Sequence, residues 1–108
     1  MSVIMVLQLD GDGSKVEEFA AANPDKMSGI RDRAVEKGLI AHRFFKDENG
    51  HVLVVDEWPD KESFEQFFEE TREEIGGMIG EVGITGEPHP QYLHVLESHD
   101  KYGWGAES

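Results

Sequence analysis

HVLVVDEWPDKESFEQFFEE, residues 51–70, decides how this chain folds. Val52, Leu53, Val54 and Val55 follow one another without a polar break. In an extended strand side chains alternate, so Leu53 and Val55 face one way and Val52 and Val54 the other. Neither face suits water. Asp60, a good N-cap type, then opens a helix in which Phe64, Phe67, Phe68, Thr71 and Ile75 recur at helical spacing, with Glu filling most of the remainder. Gly76-Gly77 is the expected stop. One helix stripe covers one face of a sheet, and the other face needs a different cover.

Upstream, Leu39 to Lys46 reads as a strand, and Asn49-Gly50 is the strongest hairpin signal in the chain. A two-residue turn there pairs Glu48 with His51 and opposes Phe44 to Val55, Arg43 to Asp56 and His42 to Glu57. That register groups His42, Phe44, Leu53, Val55 and Glu57 on one face, and Arg43, Phe45, Val52, Val54, Asp56 and Trp58 on the other. Arg43 and Asp56 then form an inter-strand or inter-subunit ion pair.

Val3 to Leu9 is a further strand with both faces apolar, followed by a turn at residues 10–13. Ser14 is the expected cap of a short helix carrying Val16 and Phe19 inward. Asn23-Pro24 restarts the helix until Gly38 ends it, so the first crossover is a broken helix. Residues 78–85, interrupted by glycines, suggest a loose helical turn. Pro88-His89-Pro90 reads as a rigid lead-in to a last strand over residues 91–97. Residues 98–108 form a tail whose Tyr102 and Trp104 need a binding surface, for which a partner subunit is a candidate.

The order is β-α-β-β-α-β, which predicts an α+β, ferredoxin-like domain over residues 1–97: a four-stranded antiparallel sheet with its helices on one face. The uncovered face still carries Val, Leu and Phe, and closing it against a second copy predicts a homodimer through the sheet faces.

Composition removes several function classes. Twenty-three acidic against ten basic residues give a net charge of −13, which repels nucleic acid phosphates and anionic membranes. No apolar run has the length of a membrane span, so no membrane partner is expected. The chain has no cysteine, which excludes disulfides, thiolate metal sites and a cysteine nucleophile and fits a cytoplasmic setting. Histidine spacings give no metal motif, and no glycine-rich phosphate loop or nucleophile elbow is present; neither a metal nor a cofactor is expected.

The catalytic candidates are His42 and Glu57, because a carboxylate beside an imidazole fixes its tautomer and favours its charged form, as a general base near neutral pH requires. His94 alternates with Tyr92 and Leu96 and could reach the same cavity. Met27, Met78, Phe19, Phe44, Phe64, Phe67, Phe68 and Trp58 are numerous enough to line an apolar pocket for an aromatic or polycyclic ligand, and also enough to be core. A catalytic pocket predicts a cavity of roughly 300 Å³ or more reaching His42. A filled interior points instead to a non-catalytic barrel.

The strand order, the strand-end Asp56-Glu57-Trp58, and Asp60 followed by the helix with Phe64 and Phe67 together resemble the dimeric α+β barrel superfamily, in particular its antibiotic biosynthesis monooxygenase-like branch. The resemblance implies two sheets forming a barrel between subunits and an apolar pocket between sheet and helices in each. Haem-degrading members carry a histidine nine or ten residues after the strand-end tryptophan. Here Phe67 and Phe68 hold that place, and the helix histidine of many monooxygenase-like relatives is missing as well. The expected function is a cofactor-independent monooxygenase-like enzyme acting on an aromatic or polyketide-like small molecule. The alternatives are an isomerase or cyclase of the same superfamily and a non-catalytic dimeric barrel that binds a small apolar ligand.

Overall fold

The computed structural model describes residues 2–103, so Trp104 lies outside the described residues. Seven elements follow in order: β1 (Val3–Asp10), α1 (Gly13–Ala22), α2 (Pro24–Glu36), β2 (Ala41–Lys46), β3 (Val52–Trp58), α3 (Lys61–Glu81) and β4 (Thr85–His94). The strands form one antiparallel sheet in the order β2-β3-β1-β4, the ferredoxin-like arrangement expected, with β2 and β4 at the edges.

The β2-β3 register differs by one residue from the two-residue-turn expectation. Asp47 N donates to His51 O, and Gly50 N donates to Asp47 O, so three residues, Glu48, Asn49 and Gly50, make the loop. Asp47 drives the change. Its Oδ1 accepts from the amides of Asn49 and His51, and its Oδ2 lies 3.0 Å from His51 Nδ1. Gly50, at φ 87°, supplies the left-handed residue that a three-residue loop needs. His42 therefore opposes Asp56, Arg43 opposes Val55 and Phe44 opposes Val54. A slip of one residue moves a whole strand's side chains to the other face. His42 and Phe44 join Val52, Val54, Asp56 and Trp58 beneath the helices, and no Arg43–Asp56 ion pair forms among the described residues.

The helix-side face is mostly hydrocarbon. Val3, Met5, Leu7 and Leu9 of β1 lie beside Trp58, Asp56, Val54 and Val52 of β3, and all but Asp56 belong to the buried core with Phe64 and Phe67 of α3. Trp58 is fully buried, its ring 5.8 Å from that of Phe64 and 5.6 Å from that of Phe67. Asp60 caps α3 as expected, its carboxylate accepting from Ser63 N. At α1 the cap is Asp12 rather than Ser14, and Ser14 is the residue whose amide it accepts.

Helix α3 runs through Gly76-Gly77 to Glu81, beyond the expected stop. Each glycine costs about 1 kcal/mol in a helix, but Ile75, Met78 and Ile79 face the interior and their burial outweighs it. The helix ends one turn later on Gly83, at φ 77°, where Ile84 N donates to Ile79 O and Gly83 N to Gly80 O, a Schellman closure. Strand β4 also begins earlier than expected and includes both prolines, with Pro90 opposite Leu7. An edge strand tolerates proline because its outward amides have no ladder to join.

The turn gives a pH-dependent prediction. Asp47's carboxyl is held below its ordinary value of 3.8, chiefly by the His51 amide. A depressed folded-state pKa contributes stability above the unfolded value that is lost as pH falls through the folded one. Asp47→Ala should lower the melting temperature at pH 7, with the gap to wild type narrowing progressively below 3.8. A gap that is constant with pH would contradict this account of the loop.

Candidate functional site

The corrected register builds the site. Asp56 is 6% exposed and its two carboxylate oxygens have separate donors. His42 Nδ1 lies 2.7 Å from Oδ1, and Trp58 Nε1 donates to Oδ2 at 3.1 Å. Since a carboxylate only accepts, Nδ1 carries the proton of this contact and Nε2 of the neutral ring holds the lone pair. Strand geometry supplies all three groups. Asp56 and Trp58 are two residues apart on one face of β3, and His42 is the cross-strand neighbour of Asp56. The His42 ring is further fixed edge-on to Phe44, with centroids 5.2 Å apart.

His42 and Asp56 border a cavity of about 110 Å³ between sheet and helices. Met5, Leu7 and Val54 form its floor, Met27, Ile30 and Ala34 of α2 one wall, and Phe64, Phe67, Phe68 and Ile75 of α3 another. Apart from His42 and Asp56, the only charged side chain lining it among the described residues is Arg31. The volume is well under the roughly 300 Å³ expected of a ligand site. A smaller void of about 30 Å³ shares Met27, Phe44, Met78 and Ile79 with it, and methionine side chains adapt readily.

Of the residues singled out in the sequence, Phe44, Phe64, Phe67, Phe68 and His42 line this cavity. Trp58 does not; it packs behind Asp56 as its hydrogen-bond donor. His94 is exposed at the end of β4 and is not part of the wall. Glu57 is not the partner of His42. It lies on the opposite face of the sheet, buried at 4% exposure, where its Oε2 accepts from Ser2 Oγ at 2.5 Å. Asp56 and Arg31 escaped the sequence reading as site residues, whereas Met27 and Met78, singled out there as pocket candidates, do line the cavity. The Asp47 side chain, able to close an Asx turn, was the signal that would have moved the register and exposed Asp56.

Elsewhere on the helix face, the Tyr92 hydroxyl is buried with no hydrogen-bond partner among the described residues, and burial, together with Glu65 and Glu62, pushes its ionisation above the usual tyrosine value. Among the described residues, no three His, Asp or Glu side chains converge into a metal-binding group, and no helix is long and apolar enough to cross a membrane.

No protein-family model matches the chain, and no curated protein matches it significantly. Solved structures do match in fold. A dimeric ferredoxin-like protein from an uncultured marine organism aligns at a TM-score of 0.63 with 18% identity, over 90% of each chain. A Caulobacter crescentus protein provisionally assigned as an antibiotic biosynthesis monooxygenase aligns at 0.63 with 17% identity, over 89% of this chain and 91% of its own. A conserved Methanosarcina mazei protein aligns at 0.61 with 16% identity, over 86% and 91%. At these identities the likeness shows the ferredoxin-like fold alone.

Two measurements check the site. Nitrogen-15 NMR of the imidazole should find neutral His42 as the Nδ1–H tautomer, reverting toward Nε2–H in Asp56→Ala; an Nε2–H ring in the wild type contradicts the geometry. Trp58→Phe keeps an aromatic ring but leaves Oδ2 of Asp56 without its donor, and should cost about 1–3 kcal/mol in denaturant unfolding.

Proposed function

We propose that the chain binds a small aromatic molecule in the cavity beneath α3 and acts as a cofactor-independent, monooxygenase-like enzyme with His42 as general base. The observation that carries the reading is the 2.7 Å contact between His42 and buried Asp56 at the edge of an otherwise apolar cavity. With Nδ1 donating to the carboxylate, Nε2 is the free base, and Asp56 stabilises the imidazolium formed when it takes a proton. A hydroxyarene that loses its proton becomes an electron-rich anion able to reduce dioxygen. The overall change, hydroxyarene plus dioxygen to quinone plus water, balances with all four electrons drawn from the substrate, so no separate reductant is needed. Fold neighbours assigned as monooxygenases lend support. In this reading Phe64, Phe67 and Phe68 hold the ring and exclude water, while Asp56 takes the orienting role first expected of Glu57.

The modest cavity favours one second reading, a binding barrel without turnover. Oxygen uptake over a panel of single-ring hydroxyarenes separates the two. Catalysis predicts uptake that falls by roughly 10²–10⁴ in His42→Gln. Uptake that does not depend on His42 removes the base assignment, and binding without uptake selects the non-catalytic barrel.

We further propose that the working unit is a homodimer joined through the open sheet face. That face carries half-buried Ile4, Val6, Leu53 and Val55 and, 48% exposed, Phe45. It is dished by about 400 Å³ beside Phe45 and Val55. A fold neighbour described as dimeric supports the same assembly. Light scattering should give twice the chain mass for the wild type and a monomer for Phe45→Glu; a monomeric wild type at micromolar concentration contradicts the assembly.

A further inference from the structure

The cavity poses a charge problem that Arg31 answers. Once His42 takes a proton from a bound molecule, an anion is left among hydrocarbon side chains, where an uncompensated charge is costly. Asp56, already negative, disfavours a second negative charge beside it. The chain's net charge of −13 also opposes entry of anions at long range. Among the described residues, Arg31 is the one permanent cation lining the cavity. It follows Met27 by four residues and precedes Ala34 by three on α2, so it shares the helix face that forms the cavity wall. Its Nε and Nη2 donate to Asp32 Oδ1 at 3.2 and 3.0 Å, and among the described residues its Nη1 has no partner. The Arg31 and Asp32 side chains are 55% and 67% exposed, so their pairing is weak and gives way readily to a better acceptor.

Resting on the proposed role of His42, we infer that Arg31 determines the ligand class: a single-ring phenol or enol acid, held as its anion between Arg31 and His42. The size fits. An apolar cavity of about 150 Å³ takes up benzene, and this one, at about 110 Å³ with an open side, matches one ring with its polar substituent toward the mouth. A polycyclic, polyketide-sized ligand exceeds that space.

The test uses p-nitrophenol, whose phenolate absorbs visible light and whose phenol does not, and nitrobenzene as the neutral ring of similar shape. Binding of each is followed by calorimetry and the ionisation of bound p-nitrophenol by absorbance. Wild type should bind both and raise the acidity of bound p-nitrophenol about tenfold, one pKa unit. Arg31→Gln should abolish that increase while leaving nitrobenzene affinity unchanged. Equal phenolate fractions in variant and wild type, or binding of nitrobenzene alone, overturn the role of Arg31 and leave the pocket reading standing. If neither compound binds, the pocket reading and this inference fall together.

Discussion

A carboxylate buried beneath a helix has to be bonded on both oxygens or it destabilises the fold by several kcal/mol. Asp56 meets that requirement with two donors, His42 from the edge strand and Trp58 from its own strand. Much of the site follows from this one constraint. It fixes which nitrogen of His42 carries a proton, it gives the fully buried Trp58 a partner for its only polar group, and it sets a charged anchor at the margin of a hydrocarbon cavity. Truncating either donor leaves part of a buried charge unpaired, whereas the exposed ion pairs of α2 and α3, such as Arg33 with Glu74, contribute little.

The fold was largely legible in the sequence because hydrophobic periodicity dominates it. The four-residue apolar run of β3 and the phenylalanine stripe of α3 identify a sheet sheltered by a helix, and Asp60 marks the start of α3 and Gly38 the end of α2 where the structure has them. The site was legible only in part. His42 was recognisable as a base candidate, but its partner depended on a turn whose length is decided by one side chain. Asn49-Gly50 favours two residues, while the Asp47 carboxylate, by accepting the amides of Asn49 and His51, selects three. Changing that count by one exchanges Glu57 for Asp56.

The other departures share a cause: tertiary burial overriding local preference. Gly76 and Gly77 are poor helix residues, yet the interior-facing Ile75, Met78 and Ile79 carry α3 past them to Gly83, where a Schellman closure needs the positive φ that glycine adopts cheaply. Pro88 and Pro90 read as a rigid lead-in to the last strand but fall within β4, an edge strand, where proline is tolerated. The extra length of α3 shapes the cavity, since its last two turns bring Ile75, Met78 and Ile79 to its lining.

The central claim is that His42, oriented by Asp56, faces a ring-sized ligand in this cavity. A crystal structure of the phenol complex tests it most directly. The account predicts the ring among Phe64, Phe67 and Phe68, its oxygen within hydrogen-bond distance of His42 Nε2, and Nδ1 still bonded to Asp56. An empty cavity, or a bound ring whose oxygen points away from His42, would contradict it.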